Sequence, residues 1–283
     1  RMLRIATEVR HLVAPDTYIL TGGLGYPSFL SARLRYTDNP DGGKVSDRYP
    51  KTGAAYFDVL SIHHYPHLVD DGSSDSALDS LTRSRDAFLD ELTKAKVTKG
   101  WMVTENGAAH VAIDGAASGP EYARNYLQKS MIWAKAEGFL GIDWFPLSDG
   151  KNASDPFSRM GLYEDLSAIS SLDAAQSTTS GDAYLTVSTL LGDARLDVKK
   201  TEALALPDGA RGFVFRSGDK SVYALWAVTD DDEDVSVSAL LPATTPLHLY
   251  TWDAGDAEPT QELTPSEGRV SVQLTGSPVF LSE

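Results

Sequence analysis

No cysteine occurs in the 283 residues, which excludes disulfides, thiolate nucleophiles and cysteine-held metals and leaves the redox compartment open. Positive charge is also scarce. Only 25 Lys and Arg residues stand against 40 Asp and Glu, a formal net charge of -15. Nucleic acid and anionic membranes both require clustered cations, so neither is expected as a partner. Long apolar runs are missing as well, and none approaches the roughly 20 residues that a membrane span needs. Core-forming material is plentiful by contrast. Hydrophobic residues make up 42% of the chain, enough for a sizeable core and against global disorder. The length suits two domains. A neutral or cationic ligand fits the charge, and no compartment is assigned by the sequence.

Missing motifs narrow the chemistry further. There is no HExxH, no GxSxG and no phosphate-binding P-loop. Gly23-Leu24-Gly25 begins like a dinucleotide loop, but Ser28 stands where the third glycine belongs. His63, His64 and His67 are possible metal ligands, yet neighbouring residues of a strand point to opposite faces. No metal and no cofactor are therefore expected. The acidic run Asp230–Asp234 lacks the alternating spacing and the glycine of a calcium loop and reads as a solvated hairpin turn.

Along the chain, Met2, Ile5, Ala6, Val9, Leu12 and Val13 fall on one helical face. A buried helix is expected there, with nothing ahead to cap it, which points to a chain that continues upstream. Tyr18–Thr21 reads as a short buried strand and Ser28–Arg35 as a helix. In the strand Phe57–Pro66, alternation puts Leu60 and Ile62 on one face and Val59, Ser61, His63 and Tyr65 on the other. A loop over Asp70–Ser74 should lead to a helix over Ser84–Lys96, then a strand over Trp101–Glu105. Pro120–Gly138 follows as a helix with Ala123, Leu127, Met131 and Ala134 on its stripe. A fourth strand spans Gly141–Pro146, and a last helix Asp182–Leu196.

Four strand-and-helix alternations predict an α/β chain with a parallel sheet and right-handed crossovers. Functional residue types at the ends of successive strands favour half of a (β/α)8 TIM barrel over residues 1–196. An open doubly wound sheet is the rival, and it would place its ligand at a single switch point. Residues 197–283 change texture. Runs such as Gly212–Phe215, Val222–Trp226, Leu247–Tyr250 and Val279–Leu281, separated by turn residues, predict a small antiparallel β-sandwich.

The stretch that organises the rest is Gly100-Trp101-Met102-Val103-Thr104-Glu105-Asn106-Gly107. An apolar strand runs into a carboxylate and then an Asn-Gly turn, which sets the acid at the rim of a sheet where ligands bind. His63, Tyr65 and Trp144 end or follow neighbouring strands. In these residues the chain resembles clan A glycoside hydrolases. Thr104-Glu105-Asn106-Gly107 looks like the nucleophile motif of their seventh strand, His63-His64-Tyr65 like the end of the sixth, and Trp144 like the aromatic of the eighth. Arg159-Met160-Gly161-Leu162-Tyr163 resembles the segment that follows.

The resemblance implies a retaining glycosidase with Glu105 as nucleophile and His63, Tyr65, Trp144 and Asn106 in contact with a carbohydrate substrate. It also implies a cis peptide between Trp144 and Phe145, and a cavity at one end of the sheet shared by these residues. The terminal sandwich fits families 39 and 30, whereas the wording around Glu105 is nearer family 1, whose downstream Glu-Trp pair is absent. The clan's acid/base is a Glu after an Asn on the fourth strand, and this sequence contains no Asn-Glu pair. It is therefore expected upstream, in the N-terminal half of the same barrel, which is the partner this half requires. Two readings stay open: the nucleophile-bearing portion of a retaining glycosidase, or a non-catalytic carbohydrate-binding or structural relative that has lost the acid.

Overall fold

The computed structural model describes residues 2–41, 43–68, 72–115, 117–152, 154–230, 235–256 and 258–283. The expected turn at Asp230–Asp234 lies mostly outside them, as do residues 69–71 of the loop before the third helix. Packing divides the chain into two compact units: residues 1–64, 81–106 and 138–143, and residues 65–80, 107–137 and 144–283.

In the first unit, α1 (Met2–Val13) and α2 (Pro27–Arg35) precede β1 (Val59–His64). The chain then runs through α3 (Ser74–Lys94), whose residues up to Ser80 count with the second unit, into β2 (Gly100–Asn106), and β3 (Ile142–Trp144), of which Trp144 counts with the second unit, completes a sheet of order β1-β2-β3. β1 and β2 are parallel. The strand expected at Tyr18–Thr21 is reduced to two parallel bridges onto β1, Leu20 with Val59 and Leu24 with Ile62. Leu30, Leu34, Leu60, Ile62, Phe88, Leu92 and Val103 form the buried interior.

Two sequence expectations fail here for physical reasons. The apolar stripe of α1 is not buried: Met2 and Leu12 are each 85% exposed, and Ile5, Val9 and Val13 are exposed too. The helix instead turns Thr7 inward, where its hydroxyl donates to the Tyr56 carbonyl at 3.0 Å. Periodicity identifies a stripe but not what covers it. The third helix also starts ten residues earlier than expected, at Ser74. Ser73 caps it, its hydroxyl accepting from the Ser76 amide at 3.2 Å, and Asp75 favours the positive end of the helix.

In the second unit, α4 (Pro120–Ala136) and α5 (Thr179–Leu191) pack together, and Gly138, with φ of +74°, supplies the left-handed stop after α4. α4 is buried on more than the single expected stripe, hiding Asn125, Gln128, Lys129 and Ser130 as well. Gln128 donates to the carbonyls of Ala183 and Trp252, so a polar face is accommodated by hydrogen bonds. After α5 come β4 (Arg195–Leu196), α6 (Val198–Glu202), β5 (Ala210–Ser217), β6 (Lys220–Ala227), β7 (Val237–Pro242), β8 (Leu247–Tyr250), β9 (Gln261–Leu263), β10 (Arg269–Leu274) and β11 (Val279–Ser282). Six of these strands form an antiparallel sheet, β4-β5-β6-β11-β8-β9, and β10 pairs with β7. Val214, Leu225, Leu241, Leu247, Val272 and Leu281 share one core between them.

A buried ion pair ties this unit together. The Lys129 ammonium on α4, wholly buried, lies 2.7 Å from the Asp75 carboxylate and donates to the Ser74 hydroxyl at 2.7 Å. Asp75 also accepts from Trp226 Nε1 at 2.9 Å and from the Thr229 amide at 3.2 Å. Removing one partner leaves the other charge buried and uncompensated. Lys129→Met is expected to lower unfolding stability by roughly 3–5 kcal/mol, read from urea titration at neutral pH. A loss below about 1 kcal/mol would mean that the network is incidental.

Candidate active site

β1 and β2 pair residue for residue from Val59 with Gly100 to Ile62 with Val103, and then the register slips: His63 lies level with Glu105. Thr104 is the extra residue. A bulge of this kind re-aims the side chains beyond it, and here it sets Glu105 beside His63. The imidazole Nδ1 lies 3.0 Å from Glu105 Oε2, with both side chains partly open to solvent. Below the bulge, the hydroxyls of Ser61 and Thr104 are in close hydrogen-bond contact. Asn106, level with His64, is fully buried.

Gly23 fixes the other side of the imidazole. A Cβ at that position would fall 1.6 Å from His63 Nε2 and 2.0 Å from Cε1, so only glycine lets this backbone lie against the ring. The polar pair His63–Glu105 is thus held by a strand irregularity on one side and a bare backbone on the other. A carboxylate so placed, ending a rigid strand and accessible to solvent, is equipped to attack an electrophilic carbon.

Tyr65 and Trp144 belong to the second unit. Tyr65 follows β1 directly, and its ring meets Phe157 edge-on at 4.8 Å and Phe145 at 6.4 Å. Trp144 closes β3; its indole Nε1 donates to the Met160 carbonyl at 2.7 Å and its ring lies 6.2 Å from Tyr126. The cis peptide expected between Trp144 and Phe145 is absent; Phe145–Pro146 is the cis bond instead. Of the residues singled out in the sequence, His63 and Glu105 are in direct contact, Asn106 adjoins them in the chain, and Tyr65 and Trp144 sit in aromatic surroundings of their own.

Nothing in the sequence singles out His110 and Asp149. Asp149, nearly buried, accepts from His110 Nε2 at 3.0 Å, from the Arg159 guanidinium at 3.3 Å and from the Gly161 amide at 2.9 Å. Met160, whose carbonyl holds the Trp144 indole, lies between those last two residues. No spacing rule links positions 110, 149 and 159, and the only available hint was a His and an Asp in the loops that follow two strands. Near Tyr65, burial pushes His67 below the ordinary imidazole range, with Asp155 partly opposing it. Among the described residues no group of His, Asp and Glu is arranged to hold a metal ion, and no helix is long and apolar enough to cross a membrane.

Two outcomes follow from this geometry. In Gly23→Ala the ring of His63 should give way before the backbone, so the variant loses the His63–Glu105 contact at a stability cost of at most about 3 kcal/mol. A crystal structure of the variant with that contact intact would contradict the account. Because the fold favours neutral His67, the unfolded chain takes up the proton first, and stability should fall as pH drops below the ordinary imidazole range. Denaturation midpoints measured across that range should flatten in His67→Gln.

No family model and no curated protein matches this sequence. Solved structures do. A family 39 glycoside hydrolase from Bacteroides cellulosilyticus WH2 aligns over 99% of this chain with a TM-score of 0.64 and 19% identity. An α-L-arabinofuranosidase from Thermotoga maritima aligns over 100% with a TM-score of 0.56 and 11% identity, and a family 30 endoxylanase from Clostridium papyrosolvens C71 over 99% with 0.52 and 12%. The chain spans 53%, 61% and 59% of those three chains respectively. Its structural neighbours are thus clan A TIM-barrel glycoside hydrolases, and the chain shares their α/β fold over somewhat more than half their length.

Proposed function

We propose that this chain is the nucleophile-bearing portion of a retaining glycoside hydrolase. The observation that carries the reading is Glu105, brought level with His63 by the slip in the β1–β2 register, 3.0 Å from its Nδ1, on a fold shared with glycosidases. Double displacement needs an ionised carboxylate to attack the anomeric carbon and a protonated one to assist the leaving oxygen. Glu105 takes the first role. Attack forms a bond from its carboxylate oxygen to the anomeric carbon as the glycosidic C–O bond breaks; water then releases the sugar and regenerates the carboxylate.

His63 orients Glu105 by hydrogen bonding to its carboxylate. Asn106, expected from the sequence to touch the substrate, is fully buried and instead backs the strand end that carries Glu105, while Tyr65 and Trp144 offer aromatic surface to a sugar ring. The acid/base is a Glu of the upstream half of the barrel, brought to about 5 Å from Glu105 between carboxyls, the retaining separation. In this reading residues 1–196 are the C-terminal half of the barrel and residues 197–283 an accessory β-sandwich. The solvent-facing stripe of α1 supports the missing half, since a face with exposed Met2 and Leu12 is the kind that a neighbouring element covers.

The test is a pair of assays on aryl glycosides. Residues 1–283 alone should show no appreciable turnover, and the same chain joined to its upstream segment should be active. Glu105→Gln in the longer protein should reduce kcat by several orders of magnitude, with sugar binding nearly unchanged, because the amide keeps the shape and loses the nucleophile. Full activity in the Gln variant, or in this chain alone, would mean that the catalytic pair lies elsewhere. Sugar binding by the longer protein without turnover would favour the non-catalytic relative.

A further inference from the structure

Resting on the glycosidase reading, we infer that Tyr26 and Phe29 form an aromatic subsite beside Glu105 that binds a second sugar ring, so that the substrate is a neutral oligosaccharide and not a single glycosyl unit. The two rings meet edge to face, with centroids 5.8 Å apart at 89°. Both are largely uncovered, Tyr26 by 65% and Phe29 by 56%. A surface aromatic taken singly is ordinary, but two locked at right angles form a rigid apolar corner. α2 holds the corner in place: Tyr26 is its extended N-cap residue, and the Phe29 amide donates to the Tyr26 carbonyl at 3.1 Å.

Position gives the corner its meaning. Leu24 bridges to Ile62 in the parallel sense, so the chain beyond it leaves the sheet at the end where His63 and Glu105 stand. Gly23 lies directly on the His63 ring. Tyr26 is three steps along the chain from Gly23, so their Cα atoms are at most roughly 11 Å apart. That is the scale of a disaccharide reaching away from the carboxylate. The C–H face of a pyranose stacks on an aromatic ring, and the Tyr26 hydroxyl can bond its hydroxyl groups. A chain of net charge -15 is a poor host for an anionic polymer, and neither ring carries a charge to hold a cationic one, so a neutral oligosaccharide is the class this corner fits.

The experiment measures binding of xylose, glucose, xylohexaose and cellohexaose to the Glu105→Gln form of the longer protein, which binds without turnover, by titration calorimetry and NMR line shapes. At least one hexaose should bind about tenfold tighter than its monosaccharide, the increment of one stacked ring. Tyr26→Ala and Phe29→Ala should each remove most of that increment and leave monosaccharide affinity unchanged, while Tyr26→Trp retains it. Both positions are exposed, and unchanged denaturation midpoints will show that the variants fold. A hexaose increment that survives both alanine variants, or is absent from the Glu105→Gln parent, overturns the subsite. The glycosidase reading is judged separately, by aryl-glycoside turnover of the longer protein, which does not depend on these two rings.

Discussion

The carboxylate of Asp75 is the interaction on which the second unit depends. It is buried, and it accepts from Lys129 on α4, from the Trp226 indole on β6 and from the Thr229 amide just beyond that strand. A charge withdrawn from water is tolerated only where partners replace its hydration. Asp75 stands in the first turn of α3 and its partners come from α4, from β6 and from the residues just beyond it, so all must be in place together. An apolar interface could slide, whereas this one has a single satisfied arrangement. The strands β5 to β11 are therefore not an appendage on a flexible linker but part of the same packed body as α4. The Arg124 guanidinium over the Trp252 ring at 4.4 Å extends the attachment along α4.

The candidate site rests on a smaller device. Regular pairing would put Thr104 level with His63. One additional residue on β2 moves Glu105 there instead, and the contact between Ser61 and Thr104 stabilises the irregularity from below. Preorganisation here is a matter of backbone count. The carboxylate needs no flexible loop to present it, because a strand end and a packed imidazole already define where it stands.

Much of this was legible beforehand, and the failures are instructive. Val103-Thr104-Glu105-Asn106-Gly107 announced a strand ending on an acid, and β1, β2, α2 and α4 fall close to where their periodicity put them. The parallel pairing followed from the alternation of elements. The slip at Thr104 was not legible, since a bulge is a relation between two strands and leaves no mark on either. Nor was Asp149, whose three partners converge only after folding. The start of α3 was missed because Ser73-Ser74-Asp75 has the composition of a loop as much as of a cap, and its hydroxyl contact to Thr229 is long-range. The exposure of the stripe on α1 is not legible either, because a pattern of side chains says nothing about which neighbour is present.

The fit of Gly23 to His63 has an evolutionary corollary. The glycine is in effect a negative of the imidazole: the space a methyl group would fill is already occupied by Nε2 and Cε1. Selection acting on the histidine is therefore transmitted to a position with no side chain and no chemistry of its own. In diverging descendants the two sites should change as a couple. A lineage that trades the histidine for a small residue frees position 23 to become alanine or serine, and one that keeps the ring keeps the glycine.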